Sequence, residues 1–258
     1  VENGADCLRI NPGNIGSEIK VKEVVNACKK GNIPIRIGVN SGSIKREFLE
    51  KYNGVNEDSL VYSALEQVQI LEDMNYNNIK LSLKASSVPL TIKTYDKISQ
   101  MVDYPLHLGV TESGPIWRGT IKSSVGIGTL LAMGIGDTIR ISLTGDPVEE
   151  VRVGREILKS LNLLEEGIEI ISCPTCGRTN IDLINLVEEA EKRLEGINKP
   201  IKVAIMGCPV NGPGEAKEAD IGIAGGKGEG LIFKKGQIIK KVKEEFLLDE
   251  LMKEIEKI

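Results

Sequence analysis

The chain is predicted to be an α/β protein: the C-terminal part of a TIM-type (β/α)8 barrel over residues 1–165, then a small α+β domain over 166–258. Three observations predict this. Short β-branched runs alternate with longer amphipathic segments through the first 160 residues, the pattern of repeated βα units on a parallel sheet. The glycine-rich phosphate fingerprint of a doubly wound sheet is missing: Gly126-Ile-Gly128 lacks its third glycine, and Gly225-Gly-Lys-Gly228 lacks the other elements of a Walker loop. After Glu166 the regular βα alternation gives way to shorter strands and cysteine-bearing turns.

In order, strands are predicted near 7–11, 34–39, 79–84, 105–110 and 138–143. Helices are predicted near 18–30, 57–75, 91–102, 121–133 and 147–160, the last opening on Asp146-Pro147, a cap followed by a first-turn proline. Val1-Glu-Asn-Gly-Ala-Asp6 resembles the last turn of a helix entering a strand, so the barrel's first three units are expected to precede Val1. The second domain should contain strands near 168–172, 201–206, 219–223, 230–234 and 236–239, with helices near 180–195 and 241–257. Its glycines 222, 225, 226, 228 and 230 are expected to form a turn.

A chain of 258 residues with 41% hydrophobic content can bury a full core. A net charge of −4 and 3% aromatic residues speak against nucleic acid as a partner. No apolar run reaches the roughly 20 residues of a membrane span, and no secretory signal is apparent, so a cytoplasmic protein is expected. Five unevenly spaced cysteines suggest reduced thiols with a metal or redox task rather than a disulfide framework.

Residues two apart on a strand share a face. Arg9 pairs in this way with Asn11, Arg36 with Asn40, Ser82 with Lys84, and Arg140 with Ser142. Each of the four strands thus carries a cation in or beside an apolar stretch. Burying one unpaired cation is costly, and four that converge imply either internal carboxylate partners or an anionic ligand; the repetition favours the ligand. Asn11, Asn40, Lys84, Glu112 and Ser142 fall at the strand ends where a barrel opens, which suits a phosphorylated substrate. Glu112 is either a salt-bridge partner or an acid/base group. His107 is the only histidine and is expected to be a satisfied core residue; Cys7 and Cys28 are expected to be buried, inert thiols, and Trp117 fits no pattern.

Cys173-Pro-Thr-Cys176 and Gly207-Cys208-Pro-Val-Asn-Gly-Pro-Gly-Glu215 each follow a β-run, so neighbouring strand ends can present them together. Zinc, a dithiol pair, buried thiols and an iron–sulfur cluster compete for this set. Zinc would want a fourth cysteine or a histidine nearby, and a dithiol pair leaves Cys208 unexplained. Glu215 is the nearest candidate for a fourth ligand, and a carboxylate would leave one iron open to exchange.

Ordered along the chain, Asp6-Cys-Leu-Arg-Ile-Asn-Pro-Gly-Asn-Ile-Gly16, Pro34-Ile-Arg-Ile-Gly-Val-Asn40, Lys84-Ala-Ser86, His107-Leu-Gly-Val-Thr-Glu112, Gly136-Asp-Thr-Ile-Arg-Ile-Ser142 and the two cysteine motifs resemble the 4-hydroxy-3-methylbut-2-enyl diphosphate synthases, oxidoreductases of the methylerythritol phosphate route to isoprenoids. The resemblance implies a barrel that binds 2-C-methyl-D-erythritol 2,4-cyclodiphosphate, and a [4Fe–4S] cluster on Cys173, Cys176, Cys208 and Glu215. It implies that Arg9, Asn11, Arg36, Asn40, Lys84 and Ser142 hold the diphosphate, with Arg140 on the same set of strands, and that Glu112 assists proton transfer. It also implies a two-electron reductive ring opening with loss of water, fed by reduced ferredoxin or flavodoxin, in a homodimer where the barrel of one subunit meets the cluster domain of the other. The family's barrel has further strands and basic residues upstream of Val1, so the chain is expected to be a fragment of an intact enzyme. The alternatives without catalysis are an iron–sulfur electron carrier and a zinc-binding module.

Overall fold

The structure, a computed structural model, describes residues 1–11, 15–210, 214 and 216–258. They divide into two units, Val1–Leu164 and Glu165–Ile258.

In the first unit the predicted runs form β1 (Leu8–Ile10), β2 (Ile35–Asn40), β3 (Ile79–Lys84), β4 (His107–Leu108) and β5 (Thr138–Ile139). β1, β2 and β3 pair in parallel in chain order, with Arg9 opposite Arg36 and Arg36 opposite Lys80. Leu81 bridges Leu106, and β4 pairs with β5, His107 opposite Thr138. Successive parallel strands thus lie side by side in sequence order, as consecutive βα units require. The connecting helices are α1 (Glu18–Gly31), α2 (Arg46–Lys51), α3 (Glu57–Asp73), α4 (Val88–Ser99), α5 (Ile116–Ala132) and α6 (Pro147–Ser160).

Alternation decides which face of the sheet is core. Ile35, Ile37 and Val39 of β2 and Ile79, Leu81 and Leu83 of β3 are at most 2% exposed and belong to the cluster that includes Leu60, Ala64 and Leu71 of α3 and Tyr95 and Ile98 of α4. Truncating one such residue to alanine costs roughly 2–5 kcal/mol. The intervening residues, Arg36, Gly38, Asn40, Lys80, Ser82 and Lys84, face the other way.

Several boundaries differ from the sequence expectation. The α2 turn of helix was not predicted. α4 begins at Val88 because Ser87 caps it, its Oγ accepting from the Leu90 N–H, with Pro89 in the first turn. α5 begins at Ile116, directly after Pro115. β4 and β5 are two residues each; beyond them, pairing continues through the bond from the Arg140 N–H to Leu108 O (2.9 Å) and the Pro115–Thr144 bridge, with the Thr144 N–H donating to Gly114 O (3.0 Å). Asp137 fastens the start of this pair, its Oδ2 accepting from the Leu106 N–H at 2.7 Å.

The second unit is β6 (Ile168–Ser172), α7 (Leu183–Leu194), β7 (Ile201–Met206), β8 (Ile221–Gly225), β9 (Glu229–Lys234), β10 (Gln237–Lys243) and α8 (Leu247–Glu256). The sheet order is β10-β9-β8-β7-β6, with β6, β7 and β8 parallel and β8, β9 and β10 antiparallel. Val203, Ile205, Ile221, Ile223 and Ile232 form its core with Leu183, Leu194, Leu251 and Ile255 from the helices. The glycine-rich stretch is not all turn: Gly222, Gly225 and Gly230 lie in strands. A Cβ at Gly222 would stand 2.4 Å from the Phe233 ring, so close packing explains that glycine. Among the described residues no helix is long and apolar enough to cross a membrane.

Candidate anion site and thiol site

The strand register lays inward-facing side chains in rows. Arg36 on β2 lies between Arg9 on β1 and Lys80 on β3; Gly38 is opposite Ser82, and Asn40 opposite Lys84. The Leu81–Leu106 bridge sets Ser82 beside His107 and Lys84 beside Gly109. Arg9, Arg36, Asn40, Ser82, Lys84, Thr111 and Arg140 line a cavity of about 90 Å³.

Two glycines make room for two cations. A Cβ on Gly38 would stand 2.3 Å from Arg9 Nε; the guanidinium fills that space and donates from Nη2 to Gly38 O at 3.0 Å. A Cβ on Gly109 would stand 3.1 Å from Lys84 Cε and 3.2 Å from its Nζ. Lys84 is 5% exposed. Among the described residues no carboxylate forms an ion pair with Arg9, Arg36, Lys84 or Arg140, in contrast to lysines elsewhere in the unit, such as Lys45 with Glu66 and Lys97 with Asp58. Internal neutralisation therefore does not explain these cations. Burial, then Arg140, Arg36 and Arg9, push the Lys84 ammonium down to about 7, and burial with Arg36 and Arg140 lowers Arg9. A multiply charged anion in this space would reverse the repulsion.

The remaining residues predicted for the site take other places. Asn11, 8% exposed, donates from Nδ2 to Ser43 Oγ (3.1 Å), and Ser43 Oγ donates to Asn40 O (3.1 Å), so Asn11 steadies the end of β2. Ser142 Oγ accepts from Arg140 Nη2 at 2.7 Å and holds that side chain. Glu112 is exposed, in a left-handed backbone conformation with φ +53°. His107 departs from its expected satisfied state: Nδ1 is 2.9 Å from Thr138 Oγ1, but Nε2 is buried with no hydrogen-bond partner. Cys7, just before β1, is exposed, not buried; Cys28 is buried as expected.

In the second unit Cys173 directly follows β6, and Cys208 lies two residues beyond β7; these strands are paired neighbours, Ser172 opposite Ile205. The Gly207 N–H donates to Cys173 Sγ at 3.3 Å. The Cys176 N–H donates to Thr179 Oγ1 (3.2 Å), and the Asn180 N–H to Gly207 O (3.0 Å), tying the first cysteine loop to the second. The Arg178 backbone N–H, then its side chain and the Thr179 hydroxyl, hold the Cys176 thiol below its ordinary value. Cys208 is buried, Cys173 half-buried and Cys176 exposed. Glu215 lies outside the described residues.

Two family models divide the chain between them. A GcpE TIM-barrel domain matches residues 1–155 and a GcpE protein C-terminal domain matches residues 169–257. The chain belongs to the GcpE family. Among curated GcpE relatives, the protein of Clostridium acetobutylicum is 68% identical over 256 residues, 99% of this chain and 73% of that protein. Those of Geobacter sulfurreducens and Bacillus velezensis are 59% and 57% identical over 258 residues, with 73% and 69% of their own lengths covered. All three are described as 4-hydroxy-3-methylbut-2-en-1-yl diphosphate synthase (flavodoxin).

GcpE proteins are iron–sulfur enzymes, and the donor set fits such a group: three free thiols follow two paired strands, one sulfur accepts a backbone N–H bond, and a second is biased toward thiolate. Among the described residues no three His, Cys, Asp or Glu side chains gather as they would around one metal ion. The sequence signal for the additional cavity residues lay in parity: Ser82 falls two before Lys84, and Thr111 four after His107.

Proposed function

We propose that this GcpE chain acts as a 4-hydroxy-3-methylbut-2-enyl diphosphate synthase. It takes 2-C-methyl-D-erythritol 2,4-cyclodiphosphate, opens the ring at a C–O bond with two electrons and releases one hydroxyl as water, a step of isoprenoid biosynthesis. The observation that carries this is the cavity of Arg9, Arg36, Lys84 and Arg140, cations with no carboxylate partner among the described residues, built to receive a doubly phosphorylated ligand.

Residues 1–165 form the substrate domain and 166–258 the cluster domain. Arg9, Arg36, Lys84 and Arg140 neutralise the diphosphate, while Asn11, Asn40 and Ser142 position these groups or add neutral hydrogen bonds. Glu112, exposed beside the cavity residue Thr111, moves a proton to or from the departing oxygen. Cys173, Cys176, Cys208 and Glu215 would hold a [4Fe–4S] cluster, which when bound would supply the electrons, with the carboxylate as its most exchangeable ligand. The names of the relatives carry flavodoxin, and on this reading reduced flavodoxin is the electron donor, with ferredoxin as the alternative; a homodimer in the cytoplasm is part of the same proposal.

Anaerobic reconstitution with iron and sulfide is expected to give about four irons per chain and visible charge-transfer absorbance. With reduced flavodoxin the product should convert the cyclodiphosphate. A protein that retains only zinc, or a reconstituted cluster with no cyclodiphosphate binding, would contradict the proposal.

A further inference from the structure

His107 stands on the inward face of β4, in the row of Gly38 and Ser82, and on the same parity as Gly109 and the cavity residue Thr111. Its backbone is pinned from the core side, where the Tyr95 hydroxyl donates to His107 O (2.5 Å) and accepts from the Leu83 N–H (3.0 Å). Its ring is pinned from β5, where Thr138 Oγ1 is 2.9 Å from Nδ1. Nε2, by contrast, is fully buried and makes no hydrogen bond. A buried imidazole nitrogen without a partner is a costly group, and such groups in native structures call for an explanation. The charges that bear on this ring are those of Lys84, Arg36, Arg140 and Lys80, all positive, and with burial they push it down to about 3. The imidazole is therefore neutral at neutral pH and adds no fifth repulsive charge.

We propose that His107 is a ligand-contacting hydrogen-bond donor of the anion site: Thr138 Oγ1–H donates to Nδ1, and Nε2–H donates to an oxygen of the bound diphosphate. An anion presents only acceptor lone pairs, so the Nε2–H tautomer is the one binding selects, and the Thr138 hydroxyl, able to donate as well as accept, complements it at Nδ1. A donor of this kind adds direction at the base of a site whose cations supply charge. The inference rests on the diphosphate reading of the cavity.

His107 is the only histidine of the chain, so selective ¹⁵N-histidine labelling gives one imidazole to observe. The full-length labelled chain is titrated with inorganic diphosphate, and binding is followed in parallel by calorimetry. The inference expects a neutral Nε2–H tautomer down to about pH 4 and an Nε2 resonance that moves in step with the calorimetric isotherm. His107→Leu should weaken binding roughly ten- to a hundredfold, as for a lost bond to a charged acceptor. Thr138→Val should weaken it less and Thr138→Ser hardly at all. An Nδ1–H tautomer, ordinary titration near neutrality, or saturable binding that leaves the imidazole signals unmoved overturns the role of His107 alone. Absence of calorimetric binding overturns the diphosphate reading together with it.

Discussion

Lys84 at the end of β3 and Cys208 just beyond β7 are buried alike, 5% and 4% exposed, yet the sites they belong to are assembled differently. The position of Lys84 follows from strand register: β2 and β3 set it opposite Asn40, and Gly109 leaves the space its side chain occupies. The cations around it are already gathered, at an electrostatic cost borne by the hydrophobic face of the same strands. The thiols are presented by the turns that follow the strands, and among the described residues they do not converge on a point. One site is formed by backbone pairing. The other presents its thiols from turns, and their final arrangement is proposed to follow metal binding.

The largest test of this contrast is Cys208→Ser. It should remove most bound iron and all turnover, yet leave inorganic diphosphate binding within about twofold, because the anion site is built wholly from the first unit. Lys84→Met should do the reverse: full iron content after reconstitution, with diphosphate affinity reduced on the order of a hundredfold in calorimetry. Gly38→Ala keeps every cation but puts a Cβ 2.3 Å from Arg9 Nε. Displacing the guanidinium should cost about tenfold in affinity with little loss of Tm, separating the position of charge from its presence.

The depressed Lys84 value gives a pH signature. With about 7 in the folded chain against an ordinary 10.5, the unfolded chain binds more protons between these values, so this group makes stability rise with pH across that window. Diphosphate binding at pH 8 should therefore take up close to one proton, falling away below about pH 6, where Lys84 is already charged. Calorimetry in two buffers of different ionisation enthalpy measures this, and Lys84→Met should abolish it. The smallest effect expected is at Glu112, whose φ of +53° favours glycine. Glu112→Gly should raise stability by roughly 0.5–1 kcal/mol in thermal unfolding, while Glu112→Gln isolates its proposed proton transfer from its backbone strain.

Much of the anion site was legible because strand alternation is periodic. Arg9, Arg36, Asn40, Lys84 and Arg140 meet in one cavity as their parity implies. Gly38 and Gly109 were not legible, since a residue that acts by leaving space has no side chain to read. Nor was the vacant Nε2 of His107, whose meaning depends on the row set by the Leu81–Leu106 bridge. Cys7 was misread as buried because an apolar neighbourhood in sequence does not show where the strand starts, and Cys7 falls just before it. In the second unit the strands and helices were visible in their β-branched runs, but the packing roles of Gly222 and Gly225 depend on Phe233 and Ile181, far away in sequence.

The most direct test of the central claim, that the anion site is complete without the cluster, is calorimetric titration of inorganic diphosphate into the metal-free and the reconstituted full chain. The account predicts affinities within about threefold of each other. Binding that appears only after reconstitution would contradict it.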